Sequence, residues 1–214
     1  MTQSKKRWVL DKFTDLLIVI LGITIAFQLG KITETEKTKK QEKYIYKELL
    51  ADLKDDEEDL EDLIKRQKKK KDRLEELSSI VLEGGLTNAT VFELHQLLNN
   101  VAQFSSTNTT YKMIVANGQL PMIKKNKQRK ALFEYYENDQ SYVFYEEIEW
   151  ERVEALNEMV MENYLFIGQN EPPEIVNTIV FKNIVTMNYF NLKLKVEEYE
   201  NHLKMNKKLQ KALD

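Results

Sequence analysis

Five carboxylates crowd one short stretch: Glu146, Glu147, Glu149, Glu151 and Glu154. Such a density could ligate a divalent cation or perform acid–base work. Either chemistry needs partners of other types, and no His, Asp or Gly-rich loop adjoins them. A solvated helix face is the expected role. His95 and His202 are the two histidines, far apart in sequence and in neither a HxxxH nor a HExxH pattern, so no metal site is expected. Cysteine is absent, which removes thiolate chemistry and leaves the redox compartment unread. Lys65–Arg73 holds seven bases and one Asp and could meet phosphate. The adjoining block Asp52–Asp62, with eight acids and one Lys, would repel it, so no nucleic acid is expected as a partner. The aromatic groups Tyr135-Tyr136, Tyr142-Phe144-Tyr145 and Tyr189-Phe190 could cage a ligand, but at helical spacing they are expected in a core. No catalytic, cofactor-binding or metal residue is assigned, and the chain is expected not to be an enzyme.

A different chemistry sits near the N-terminus. Asp15 opens the stretch FTDLLIVILGITIAFQL, Phe13 to Leu29. Its apolar part, Leu16 to Phe27, is short, and with Phe13 and Ile32 it approaches the roughly 20 residues of a membrane span. A signal peptide and a buried core helix are the competing readings. No small-x-small cleavage site follows, and no polar face runs through the stretch, so a span is favoured. Trp8 would lie in the interface. Gly22, Ala26 and Gly30 recur at four-residue spacing on one face, where a second helix could approach closely. Asp15, seven residues before Gly22, shares that face. It could meet a partner, reach the headgroups, or pair with Lys12.

These stretches need helices to position them. Six Gly and three Pro in 214 residues argue for few, long helices. The predicted fold is all-α: one N-terminal transmembrane helix, a long charged helix and an antiparallel helical bundle. The expected layout is a basic segment at 1–12, the span at 13–32, a coiled-coil-like helix at 33–83, short connector helices at 84–125 and two long helices at 126–214. In the charged helix a heptad register fits Tyr46, Leu53, Leu60, Gln67, Leu74 and Val81 at one core position. Leu49, Asp56, Leu63, Lys70 and Leu77 fill the other. Asp56, Gln67 and Lys70 break the apolar pattern: polar core positions either select register or mark exposure. The acidic-then-basic order suits an antiparallel partner within the chain. The competing reading is a solvated face with local pairs, and it is the favoured one.

Further along, Gly84-Gly85 ends the helix, and Thr90-x-x-Glu93 reads as a capping box opening a short helix to about Ala102. Another from Tyr111 should stop at Gly118, with Pro121 beyond. One long helix is expected from Asn126 to Phe166, stopped at Gly168. A last one starts at Asn170-Glu171-Pro172-Pro173 and runs to about Leu213.

Two stretches, DLLIVILGITIAFQLGK and TTYKMIVANGQLPMIKKNKQRKALFEYY, carry a resemblance. Together they resemble an uncharacterised family of small single-span membrane proteins common in Bacteroidetes-type bacteria. Its Tyr…Gly-x-Leu…Ile…Leu…Tyr-Tyr segment falls here on Tyr111, Gly118, Leu120, Ile123, Leu132, Tyr135 and Tyr136. The family usually follows its span with an Asn-Trp-Asn-Glu-like stretch, where this chain has Gly30-Lys31-Ile32-Thr33-Glu34. The resemblance implies a bacterial membrane protein and supplies no catalytic residues.

Residues 1–32 hold five Lys or Arg against two Asp, so the remainder is acidic in a chain of net charge −3. Basic residues flank the span almost evenly, Lys5, Lys6, Arg7 and Lys12 before it and Lys31, Lys37, Lys39, Lys40 and Lys43 after it. The compact leading cluster favours a cytoplasmic N-terminus. The expected place is the inner membrane of a bacterium, single-pass, with the body in the periplasm. The expected function is a non-enzymatic scaffold or accessory subunit of an envelope complex. Its expected partners are the membrane and a second copy or another membrane protein through the span. The alternative is a membrane-anchored helical sensor binding a small ligand or peptide.

Overall fold

No Gly or Pro interrupts the chain between Gly30 and Gly84, so nothing local breaks a helix there. The computed structural model describes residues 3–138, 140–163, 172 and 174–214. It has α1 (Gln3–Glu83), α2 (Asn88–Asn99), α3 (Thr109–Ala116), α4 (Asn126–Phe133), α5 (Ser141–Asn163) and α6 (Ile179–Leu213). The chain divides into two compact units, residues 1–47 and 48–214.

In the first unit, the helix is long and apolar enough to cross a membrane. None of its most apolar stretch is buried. Leu16 to Leu21, Ile23, Ile25, Phe27, Leu29 and Ile32 all expose their side chains. Within the stretch the Thr24 hydroxyl donates to Ile20 O at 2.8 Å, so its polar group is satisfied by its own helix.

In the second unit, α1 and α6 run antiparallel. Moving up α1, Glu57 and Glu61 meet Lys207, Lys68 meets Glu200, Glu75 meets Tyr189, and Leu82 O meets Lys182. The acid block and the basic block thus face α6 of the same chain, which corrects the favoured picture of purely local pairs. α5 also opposes α6: Ser141 meets Glu198, Tyr145 O takes the Asn191 amide, and Arg152 reaches Met187 O. The body is therefore an antiparallel helical bundle. One apolar cluster joins Leu74, Leu77 and Val81 of α1 to Leu94 and Leu98 of α2, Leu156 of α5 and Val185 of α6. A second joins Leu60, Leu63 and Ile64 to Phe104, Tyr142 and Tyr199. Each fully buried Leu contributes on the order of 2 kcal/mol.

Local signals explain most boundaries. Gly84 at φ +81° and Gly118 at φ +64° adopt the left-handed conformation that ends α1 and α3. Each is followed by an amide reaching back, Gly85 N to Ile80 O at 3.1 Å and Gln119 N to Ile114 O at 2.7 Å. The α2 cap differs from expectation. The reciprocal pair is Thr87 with Thr90, and Glu93 instead takes Arg73 at 2.6 Å. The helix expected from Asn126 is two helices, α4 and α5, with a π-helical turn at Glu134–Asn138 after α4. That widened turn carries two adjacent rings, Tyr135 and Tyr136, both into the core. The outward surface also holds aromatics expected inside: Phe144 and Phe190 are 58% and 50% exposed. The expected helix stop at Gly168 and the start at Asn170, Glu171 and Pro173 lie outside the described residues. α6 is capped by Thr178, whose hydroxyl accepts from Phe181 N.

Candidate functional site

Between α2 and α3, residues 100–108 adopt no helix, yet the segment is partly buried in a helical bundle. Buried backbone N–H and C=O groups must find partners. Here those partners are ionisable side chains. Asn100 O accepts from Lys70 Nζ at 2.7 Å. Ala102 O accepts from Lys195 Nζ at 3.0 Å and lies 3.3 Å from the Tyr199 hydroxyl. Phe104 N donates to Glu146 Oε1 at 2.8 Å, and Thr107 N to Asp56 Oδ1 at 2.6 Å. Just beyond, Thr110 N donates to Asp52 Oδ2 at 3.0 Å. The Phe104 ring seals the segment against Tyr142 and His202, each with centroids at 5.6 Å.

Two knots of buried polar groups supply these bonds. In the first, Glu149 takes Lys70 on one oxygen at 2.8 Å and Lys195 on the other. Burial pulls the Lys70 ammonium below the usual lysine range, with Glu149 opposing that shift and Lys195 adding to it. Beside them Glu146 accepts from Tyr199. Burial pushes the Glu146 carboxyl up, while the Tyr199 and Phe104 donors hold it down. In the second knot, Tyr135 donates to Asp56 Oδ2 at 2.7 Å and accepts from Asn206 Nδ2 at 2.9 Å. The Asn206 amide also reaches Leu53 O at 2.9 Å. Burial raises Asp56, with the Thr107 amide and Tyr135 opposing. The His202 ring stacks on Tyr135 at 4.5 Å. Perturbed acids and bases of this kind are the usual mark of an active site. Here their bonds go to the backbone of one loop and to each other. Among the described residues no group of three or more His, Asp or Glu is placed to hold a metal ion.

Sequence reasoning missed part of this. Glu146 and Glu149, expected on a solvated face, are 4% and 3% exposed, because Lys70, Lys195 and Tyr199 close over them. Asp56, Gln67 and Lys70 of the heptad core are likewise buried rather than exposed. A readable signal existed in α6. Asn188, Leu192, Lys195, Tyr199, His202, Asn206, Leu209 and Leu213 alternate at four- and three-residue steps and are all buried. Half of that seam is polar.

The segment singled out by the resemblance forms one side of the bundle. Tyr111 stacks on Tyr136 at 4.7 Å, and Tyr136 meets Tyr135 edge-on at 4.8 Å. Ile123 and Leu132 are buried, Leu120 half-buried, and Gly118 makes the turn. Gly22, Ala26 and Gly30 are exposed on their helix, and among the described residues a Cβ added at either glycine would meet nothing within 4 Å. The Asp15 and Trp8 side chains lie outside the described residues.

No curated protein and no solved structure matches the chain. A family model, described as a family of unknown function (DUF6090), matches residues 15–187, from the membrane-length stretch into α6. The chain belongs to that family.

Proposed function

We propose that this chain is a non-enzymatic, single-span scaffold or accessory subunit of a bacterial envelope complex. The observation that carries the reading is the division of labour between the two units. The ionisable groups that would make chemistry possible hold the 100–110 segment in place. The apolar helix from Leu16 to Ile32 is left with its side chains exposed. In this reading the helix crosses the inner membrane with the N-terminus in the cytoplasm and the body in the periplasm, in a Bacteroidetes-type cell.

The face of Gly22, Ala26 and Gly30 is where a second span packs, with Asp15 on the same side. Among the described residues nothing lies within 4 Å of a Cβ added at either glycine, so the space beside them is open to a second helix. Because the chain has no cysteine, a single Cys at Gly22 or Ala26 gives an unambiguous crosslinking probe. Oxidation or a bifunctional thiol reagent in native membranes should trap a dimer or a heteromeric adduct. Gly22→Leu combined with Ala26→Cys should lose it. A monomer under every crosslinking condition would sink the reading.

A further inference from the structure

α4 and the last turns of α6 meet over an open cleft of about 540 Å³. That volume suits a small molecule, since ligand sites run from about 300 to 1,000 Å³. The floor is largely apolar: Ala131, Met205, Leu209, Ala212 and the ring of Tyr135, with buried Gln128 among them donating its amide to Ala212 O. The Tyr135 hydroxyl is engaged by Asp56 and Asn206, so the cleft receives the ring and not the polar tip. Met205 is a soft, adaptable wall for an alkyl chain.

The rim has the opposite character. Lys125, Lys127, Lys130 and Lys208 stand around it, against one carboxylate, Glu134. Lys130 approaches Glu134 only to 3.9 Å. Lys125, Lys127 and Lys208 are exposed and form no ion pair among the described residues. A cationic rim on an acidic chain is a local reversal of sign, and it selects an anion. Lysine brings a compact charge on a flexible stem, which accommodates a carboxylate without fixed geometry. A second copy of this chain seated cleft to cleft would bring the same cations together, which disfavours self-association here.

We infer that this cleft binds a long-chain carboxylate, with the alkyl chain on Ala131, Met205 and Leu209 and the head among the four lysines. Binding here neither requires nor excludes a partner for the span. The probe is a diazirine-bearing fatty acid, added to the full chain in zwitterionic nanodiscs and mapped by mass spectrometry after photolysis. Adducts should fall on residues 125–135 and 205–212. Excess dodecanoate should compete, whereas dodecyltrimethylammonium and inorganic phosphate should not. Lys127→Glu with Lys208→Glu, both at exposed sites, should lower labelling roughly tenfold, from two reversed rim charges. Ala131→Trp should block the floor while helicity and the unfolding temperature stay near those of the parent. Adducts confined to residues 13–32, equal competition by the cationic amphiphile or by phosphate, or labelling unchanged in both variants would overturn the assignment.

Discussion

Glu149→Gln keeps the shape of a side chain and removes the carboxylate that faces two buried ammonium groups, Lys70 at 2.8 Å and Lys195 in direct contact. Both lysines are nearly or fully buried, at 6% and 0% exposure, so water cannot replace the lost charge. Breaking a buried pair from one side costs about 3–5 kcal/mol. An independent route gives a similar ceiling. A lysine of ordinary pKa can be held neutral at pH 7 for about 4–5 kcal/mol, which caps what one stranded ammonium can cost. Against a typical total of about 5–15 kcal/mol, such a loss leaves the body marginal. A lysine neutral in the folded variant has a folded pKa below its unfolded one, so its penalty is full at low pH and fades as pH rises toward about 10.4. The deficit should shrink by about 1.4 kcal/mol per pH unit above neutrality for each lysine neutralised. Urea unfolding of the full chain in non-ionic detergent, followed by far-UV circular dichroism at pH 7 and pH 9, measures both effects. Glu147→Gln, two residues away and exposed, is the control and should stay within about 0.5 kcal/mol of the parent. An unfolding midpoint at pH 7 equal to the parent's, or a gap that does not narrow at pH 9, would show that the triad does not hold the core as described.

Glu146→Gln preserves an acceptor for Phe104 N and Tyr199, whereas Glu146→Ala strands Phe104 N, leaves the Tyr199 hydroxyl only Ala102 O at 3.3 Å, and should cost about 1–3 kcal/mol in the same unfolding assay. The Glu146 carboxyl is raised above its ordinary 4.5, so its contribution is present below that value and lost as pH rises through the folded one. Glu146→Gln should therefore flatten the fall in stability between those two pH values, and a slope identical to the parent's would refute this. Gly118→Ala places a Cβ at φ +64° and should lower stability by about 1–2 kcal/mol despite the open space around it. Thr87→Ala removes the α2 cap and should cost about 1 kcal/mol, with faster hydrogen exchange in the first turn of α2.

Sequence periodicity located the buried face of α1 well. Leu49, Leu53, Leu60, Leu63, Leu74, Leu77 and Val81 all lie at the heptad positions read for them and are buried. The same register placed Asp56, Gln67 and Lys70 in the core, and it left open whether they are buried or exposed. For Asp56 and Lys70 pattern cannot decide this, because the answer depends on a loop 51 and 30 residues on, whose amide Thr107 N and carbonyl Asn100 O need those two side chains. Glu146 and Glu149 escape the pattern for a related reason. Their partners are distant in sequence, and a run of Glu looks solvated until Lys70 and Lys195 are brought to it. The π-helical turn at Glu134–Asn138 was also hidden, since the apolar spacing on either side of it fits one uninterrupted helix. Glycine signals were the most legible: Gly84 and Gly118 end helices where a left-handed residue is needed.

In the proposed topology the stretch Leu16 to Ile32 crosses a membrane with the body on the far side. Two single-cysteine chains, Gln3→Cys and Asp214→Cys, test this against a background that contains no cysteine. An impermeant maleimide applied to intact spheroplasts should label the Asp214 position and spare the Gln3 position until the membrane is opened, with both chains resisting carbonate extraction. Labelling of both positions from outside, labelling of neither, or release of the chain by carbonate would contradict it.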